Sequence, residues 1–164
     1  MARLDEATPE GGTTQLPPIK LSRVFRARRD TVFSAWSTAE NVQRWFAPEG
    51  CTVSDAKVEM RIGGPFELSM RAPGVEHRLR GSFVEVTPPS RLVIDMRISD
   101  ADEKPLFRAY TELDFADVPG GTRLDVTQTY IVIDPSAAWM IAGAPEGWRS
   151  TLDNLEREVA RLAG

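Results

Sequence analysis

Gln128 and Tyr130 are the side chains whose type and spacing point most directly to a binding site. They follow Leu124 and Val126 at alternate positions, and alternate residues of a strand share a face. Leu124 and Val126 read as core, so the amide and the phenol should face the same apolar interior. A polar group there needs a hydrogen-bonding partner or a ligand. Leu92, Ile94, Met96 and Ile98 form the cleanest period-two run in the chain and would line a cavity floor beside them. Trp148 and Leu152 open a helical apolar stripe that would close such a space from the other side. A site made of Ile94, Met96, Val126, Gln128, Tyr130, Trp148 and Leu152 would hold a small apolar or amphipathic molecule by burial, oriented by one or two hydrogen bonds. Internal hydrogen bonds or a buried water would satisfy Gln128 and Tyr130 equally well, and both readings stay open at this stage.

Other chemistry is thinly represented. His77, the single histidine, lies between Glu76 and Arg78 just after Pro73-Gly74. It reads as an exposed residue at a strand start, although its ordinary pKa would also suit a general base. Cys51, the single cysteine, follows a Pro-Glu-Gly turn and has no second histidine near it to activate a thiolate. It reads as a structural thiol. No phosphate-binding loop, dinucleotide fingerprint or nucleophile elbow is present, and spacing singles out no carboxylate pair. On the strand before the Gln128 run, Leu113 and Phe115 set the parity. That turns Thr111, Ala109 and Phe107 inward and Arg108, Tyr110, Glu112 and Asp114 outward.

Composition narrows the classes further. A chain of 164 residues, 41% hydrophobic and 27% charged, is ordinary for one globular domain. One cysteine and one histidine leave no material for a disulfide or a histidine- or cysteine-rich metal centre, so no cofactor is expected. The net charge of −4 argues against a nucleic-acid partner. The longest apolar stretch in the body of the chain, Tyr130 to Ile133, is far short of a membrane span. An acidic pair, Asp5-Glu6, stands where an export signal would be apolar, so the expected location is the cytoplasm.

The elements that would position these residues follow from periodicity. Residues 1–16 lack an apolar pattern and read as a flexible tail, with one domain over residues 17–164. A strand from Ile19 to Ala27 precedes two short helices, the first carrying Val32, Phe33 and Trp36, the second Val42, Trp45 and Phe46. Ser37-Thr38-Ala39-Glu40 has the form of a capping box for the second. Six strands follow between residues 52 and 133, separated by turns such as Gly63-Gly64-Pro65, Pro73-Gly74 and Pro119-Gly120-Gly121. Short loops between successive strands imply an antiparallel meander. From Pro145 to Ala163, Trp148, Leu152, Leu155, Val159 and Leu162 draw one stripe, with Arg149, Asp153, Glu156 and Arg157 opposite. The class is α+β: a curved antiparallel sheet of about seven strands wrapped around a long C-terminal helix.

Several segments also resemble a known family. They include Val32-Phe33-Ser34-Ala35-Trp36, Trp45-Phe46-Ala47-Pro48-Glu49-Gly50, Glu59-Met60-Arg61-Ile62-Gly63-Gly64-Pro65-Phe66, Gly81 to Val93, Gly120 to Leu124, and Gly147-Trp148. In type and order they are similar to the START-like (SRPBCC) superfamily with its helix-grip fold. The resemblance is strongest to the bacterial branch related to the C-terminal domain of the ATPase activator of the 90-kDa heat-shock chaperone. It implies the helix-grip architecture and, among its members, ligand carriers, cyclase- or dehydratase-type enzymes and protein-interaction modules. The expected function is binding of a small apolar or amphipathic molecule between sheet and C-terminal helix. The alternatives are a chaperone-activator-like interaction module, with a protein partner or a second copy of the chain, and a cyclase-, dehydratase- or hydrolase-type enzyme using the same cavity.

Overall fold

The computed structural model describes residues 14–164. Of the tail expected over residues 1–16, the first thirteen residues lie outside that range. The rest belongs to the sheet: β1 (Thr14–Gln15) pairs with Ile131 and Val132, and the Leu16 amide donates to the Tyr130 carbonyl at 3.0 Å. Pro17-Pro18, which have no N–H to give a ladder, separate β1 from β2 (Ile19–Phe25) on the same sheet edge.

Two short helices follow, α1 (Arg29–Ser34) and α2 (Ala39–Trp45). The cap of α2 sits one residue later than the capping-box reading placed it. Thr38 is the N-cap and its hydroxyl accepts from the Asn41 amide, whereas the Ser37 hydroxyl donates back to the Ser34 carbonyl. The meander then runs through β3 (Thr52–Val58), β4 (Pro65–Ala72), β5 (Val75–Thr87), β6 (Arg91–Asp100), β7 (Pro105–Val118) and β8 (Gly121–Val132). The sheet order is β1-β8-β7-β6-β5-β4-β3, with β2 also on β8, all antiparallel. The described sheet therefore has eight strands, the expected seven plus the short β1.

Gly121 is required at the β7–β8 hairpin, because a Cβ there would lie 1.9 Å from the Phe25 carbonyl oxygen where β2 ends. Beyond β8, the 3-10 turn Pro135–Ala137 and α3 (Ala138–Ala142) lead into α4 (Ala144–Ala163), about 30 Å of helix. Trp148, Leu152, Leu155 and Val159 are buried against the sheet, with Leu162 half-buried. Arg149, Asp153, Glu156 and Arg157 are exposed, as the stripe requires.

One half of the space between α4 and the sheet is filled with large side chains. Trp36 and Trp45 meet edge to face at 4.5 Å between centroids, and Phe46, Phe66 and Phe83 continue the ring-to-ring contacts. The outward parity of β7 holds, but Tyr110 is buried on that outer face with Val93 and Ile131. Arginine side chains flank this small cluster. Arg91 reaches Glu85, Glu112 and Asp114, and Arg108 grips Asp95.

Candidate functional site

The other half of the grip is not filled. A cavity of about 430 Å³ opens between α3, the first turns of α4 and the inner face of β4–β8. Its origin is a run of small residues from distant parts of the chain. Across the sheet, Met96 pairs with Ala109 and Ala109 with Tyr130, and Ala72 of β4 lines the same space. Gly143, Ala144 and Gly147 face that row from the helical side. One row deeper, Phe83 pairs with Ile94 and Ile94 with Thr111, and the gap closes.

Four of the seven expected site residues reach the cavity: Met96, Gln128, Tyr130 and Trp148. Ile94, Val126 and Leu152 do not line it. They are at most 1% exposed and lie in the filled half, so they support the cavity without bounding it. The alternation that placed Ile94 and Val126 on the inner face was correct. What it could not convey is that Phe66 and Phe83 occupy the space in front of that part of the sheet.

Gln128 is the centre of a closed polar network. Its Oε1 accepts from the Trp148 indole N–H at 2.7 Å and from the Tyr130 hydroxyl, and its Nε2 donates to Thr111 Oγ1 at 2.7 Å. Thr111 in turn directs its hydroxyl to the Met96 sulfur at 3.8 Å. The polar groups that the strand pattern turned inward are thus paired with one another across β7, β8 and α4. Burial pushes the Tyr130 phenol well above the usual tyrosine range, against a smaller opposing effect of the Trp148 N–H, so it stays protonated.

His77 and Cys51 also line the cavity. The expectation of an exposed histidine is corrected here. His77 shares the inward parity of Leu79 on β5 and is half-buried. Burial lowers its pKa, and Asp100, its cross-strand partner on β6, acts in the opposite direction. Burial raises the pKa of Cys51, so its thiol is held protonated. Glu112, which could have completed an acid–base pair, faces outward and binds Arg91 at 2.9 Å.

Sequence reasoning missed the rim and the roof. Trp139 is 67% exposed and Val75 43% exposed, and both line the mouth together with Met140. It also missed Thr151, a buried residue of α4 on the cavity wall. A signal was available: Gly143, Gly147 and Thr151 recur every four residues beside the Trp148 stripe, marking a helix flank of small or polar side chains.

A larger cleft, about 630 Å³, lies at the opposite end around Arg26, Arg28, Arg29 and Asp117. Half of its lining residues are charged, and Arg29 is already engaged by Ser90 and Asp117. The smaller apolar cavity is therefore the better candidate.

Residues 26–160 match the family described as Activator of Hsp90 ATPase homolog 1-like protein. The chain belongs to this family. Membership carries the START-like, helix-grip assignment with it, and the solved structures agree. An uncharacterised protein from Rhizobium leguminosarum superposes with a TM-score of 0.80 at 25% identity, over 92% of this chain and 97% of that one. A protein from Chromobacterium violaceum gives 0.72 at 26% identity, over 87% and 96%. A member of the same family from Silicibacter pomeroyi gives 0.72 at 23% identity, over 88% and 98%, a likeness of fold. No curated protein matches the chain significantly.

Proposed function

We propose that this family member binds a small apolar or amphipathic molecule in the cavity between the sheet and α4. The observation that carries this reading is the unfilled space of about 430 Å³, walled mainly by apolar side chains and open at a rim that holds Trp139. Membership of the family accords with a ligand-binding or activator-like module. Of these two, an interaction module needs no unfilled interior, so the cavity favours the ligand. An enzyme using the same space would need an acid–base pair. Among the described residues, His77, Cys51 and Tyr130 are the titratable groups on the wall, and no carboxylate joins them there.

The test is uptake of an uncharged apolar fluorophore, N-phenyl-1-naphthylamine. Ala109 points into the cavity from the centre of β7, so Ala109→Phe should fill it and abolish uptake while the fold persists. Ile62→Ser, which removes a 70% exposed apolar side chain outside the cavity, should leave uptake unchanged. Uptake that survives Ala109→Phe and falls with Ile62→Ser would overturn the reading.

A further inference from the structure

Among the described residues, the wall of the cavity carries no Asp, Glu, Lys or Arg. A charged group placed deep inside would lose its hydration without gaining a counter-ion, so the buried part of any occupant is uncharged. Apart from His77 and Cys51, the hydrogen-bonding capacity left on the wall is narrower still. The Trp148 N–H and the Tyr130 hydroxyl proton are both spent on Gln128 Oε1, and one N–H of the Gln128 amide is spent on Thr111. Tyr130 therefore has lone pairs to offer and no proton.

Thr151 supplies the complement. It lies one turn beyond Trp148 on α4, is 6% exposed and lines the cavity, and no hydrogen bond of its hydroxyl is found among the described residues. A helical threonine commonly turns its hydroxyl back to a carbonyl three or four residues earlier, and no such bond is found for Thr151 among the described residues, as it is for Ser34 on α1. A hydroxyl that opens onto an apolar cavity is met either by water or by an occupant of the cavity.

We propose that the occupant is an uncharged, chiefly aliphatic molecule bearing one hydroxyl group, a medium-chain alcohol, and that Thr151 is the residue that recognises the hydroxyl. This rests on the ligand-binding reading above. A hydroxyl both donates and accepts, which matches an acceptor at Tyr130 and a donor at Thr151. The remaining wall suits a flexible chain, because Met70, Met96 and Met140 are adaptable thioethers. At roughly 30 Å³ per water-sized group, the space holds on the order of ten to fourteen non-hydrogen atoms.

The test is displacement of N-phenyl-1-naphthylamine from the purified full chain by octane, octan-1-ol, octanoate and octylammonium at pH 7. Octan-1-ol should bind at least about fivefold more tightly than either ion. Thr151→Val keeps the shape and removes the hydroxyl. It should weaken octan-1-ol by about five- to tenfold and leave octane within about twofold, while Thr151→Ser retains the alcohol affinity. Octanoate or octylammonium binding as tightly as the alcohol would overturn the assignment of the ligand class. So would equal effects of Thr151→Val on octane and octanol. In both cases retained fluorophore binding shows that the cavity reading stands. Failure of the fluorophore and of every chain to bind would overturn both.

Discussion

The indole N–H of Trp148 on α4 and the side-chain oxygen of Gln128 on β8 are joined by a buried hydrogen bond of 2.7 Å. This bond fixes the N-terminal half of the helix against the sheet at the level where apolar packing stops and the cavity begins. Because the same oxygen also accepts from Tyr130, Gln128 holds two donors that would otherwise be stranded. Its replacement by leucine should therefore cost more than the loss of one hydrogen bond. Each buried group left unpaired costs about 1–3 kcal/mol. Gln128→Leu should lower stability by about 2–4 kcal/mol, and Trp148→Phe by about 1–2 kcal/mol. The two effects should be non-additive in a double-mutant cycle read from urea midpoints. Strict additivity would show that the bond does not couple helix and sheet.

The stripe on α4 makes a second, independent stability prediction. Leu155 is fully buried at its centre, and Arg157 projects to solvent. Leu155→Ala should cost about 2–5 kcal/mol through the lost apolar contact and the void left behind. Arg157→Ala should cost under about 0.5 kcal/mol. Urea denaturation of both variants checks the pair, and similar midpoints would contradict the helix orientation.

The helix face, the strand parity and the order of elements were legible because each is local. Trp148, Leu152 and Leu155 recur at helical spacing, and Leu124, Val126, Gln128 and Tyr130 recur at strand spacing, whatever surrounds them. The position of the cavity was not legible for the same reason. It arises where Ala72, Ala109 and Gly147, from three separate elements, line one space across the grip, and it closes where Phe66 and Phe83 meet Ile94. No window of sequence contains that juxtaposition. His77 was misread as exposed on similar grounds. Its charged neighbours Glu76 and Arg78 point the other way from the sheet, and only the pairing of β5 with β4 and β6 places its ring over the cavity mouth.

The burial of His77 has a consequence for pH dependence. Its folded-state pKa lies below the ordinary 6.5, chiefly through desolvation, with Asp100 partly offsetting that effect. Above about pH 6.5 the ring is neutral in both folded and unfolded chains. As the pH falls through that value, the unfolded chain takes up a proton that the folded chain resists, so stability declines until the folded pKa is reached. His77→Gln should flatten this decline, measured as urea unfolding free energy between pH 7.5 and 5.5. Asp134 acts in a separate window. Lys104 and the Ser136 backbone and side chain hold its pKa at about 2, so its contribution is present above the ordinary 3.8 and is lost only below it. An unchanged slope in His77→Gln would show that the ring is solvated in the folded protein.

Cys51 offers a chemical readout of the same cavity. Its thiol lines the wall, and burial pushes its pKa above that of an ordinary cysteine. Alkylation proceeds through the thiolate, so at pH 7.5 iodoacetamide should modify Cys51 more slowly than it modifies an unstructured cysteine peptide. The rate should rise with pH beyond the point at which the peptide rate has levelled off. Cys51 is the only cysteine in the chain, which makes the mass-spectrometric readout unambiguous. An occupant of the cavity should protect it, so saturating octan-1-ol should slow alkylation at a fixed pH. Ala109→Phe should give the same protection without any ligand and remove the further effect of the alcohol. A modification rate equal to that of the peptide, unaffected by octan-1-ol, would place the thiol in solvent and detach Cys51 from the cavity.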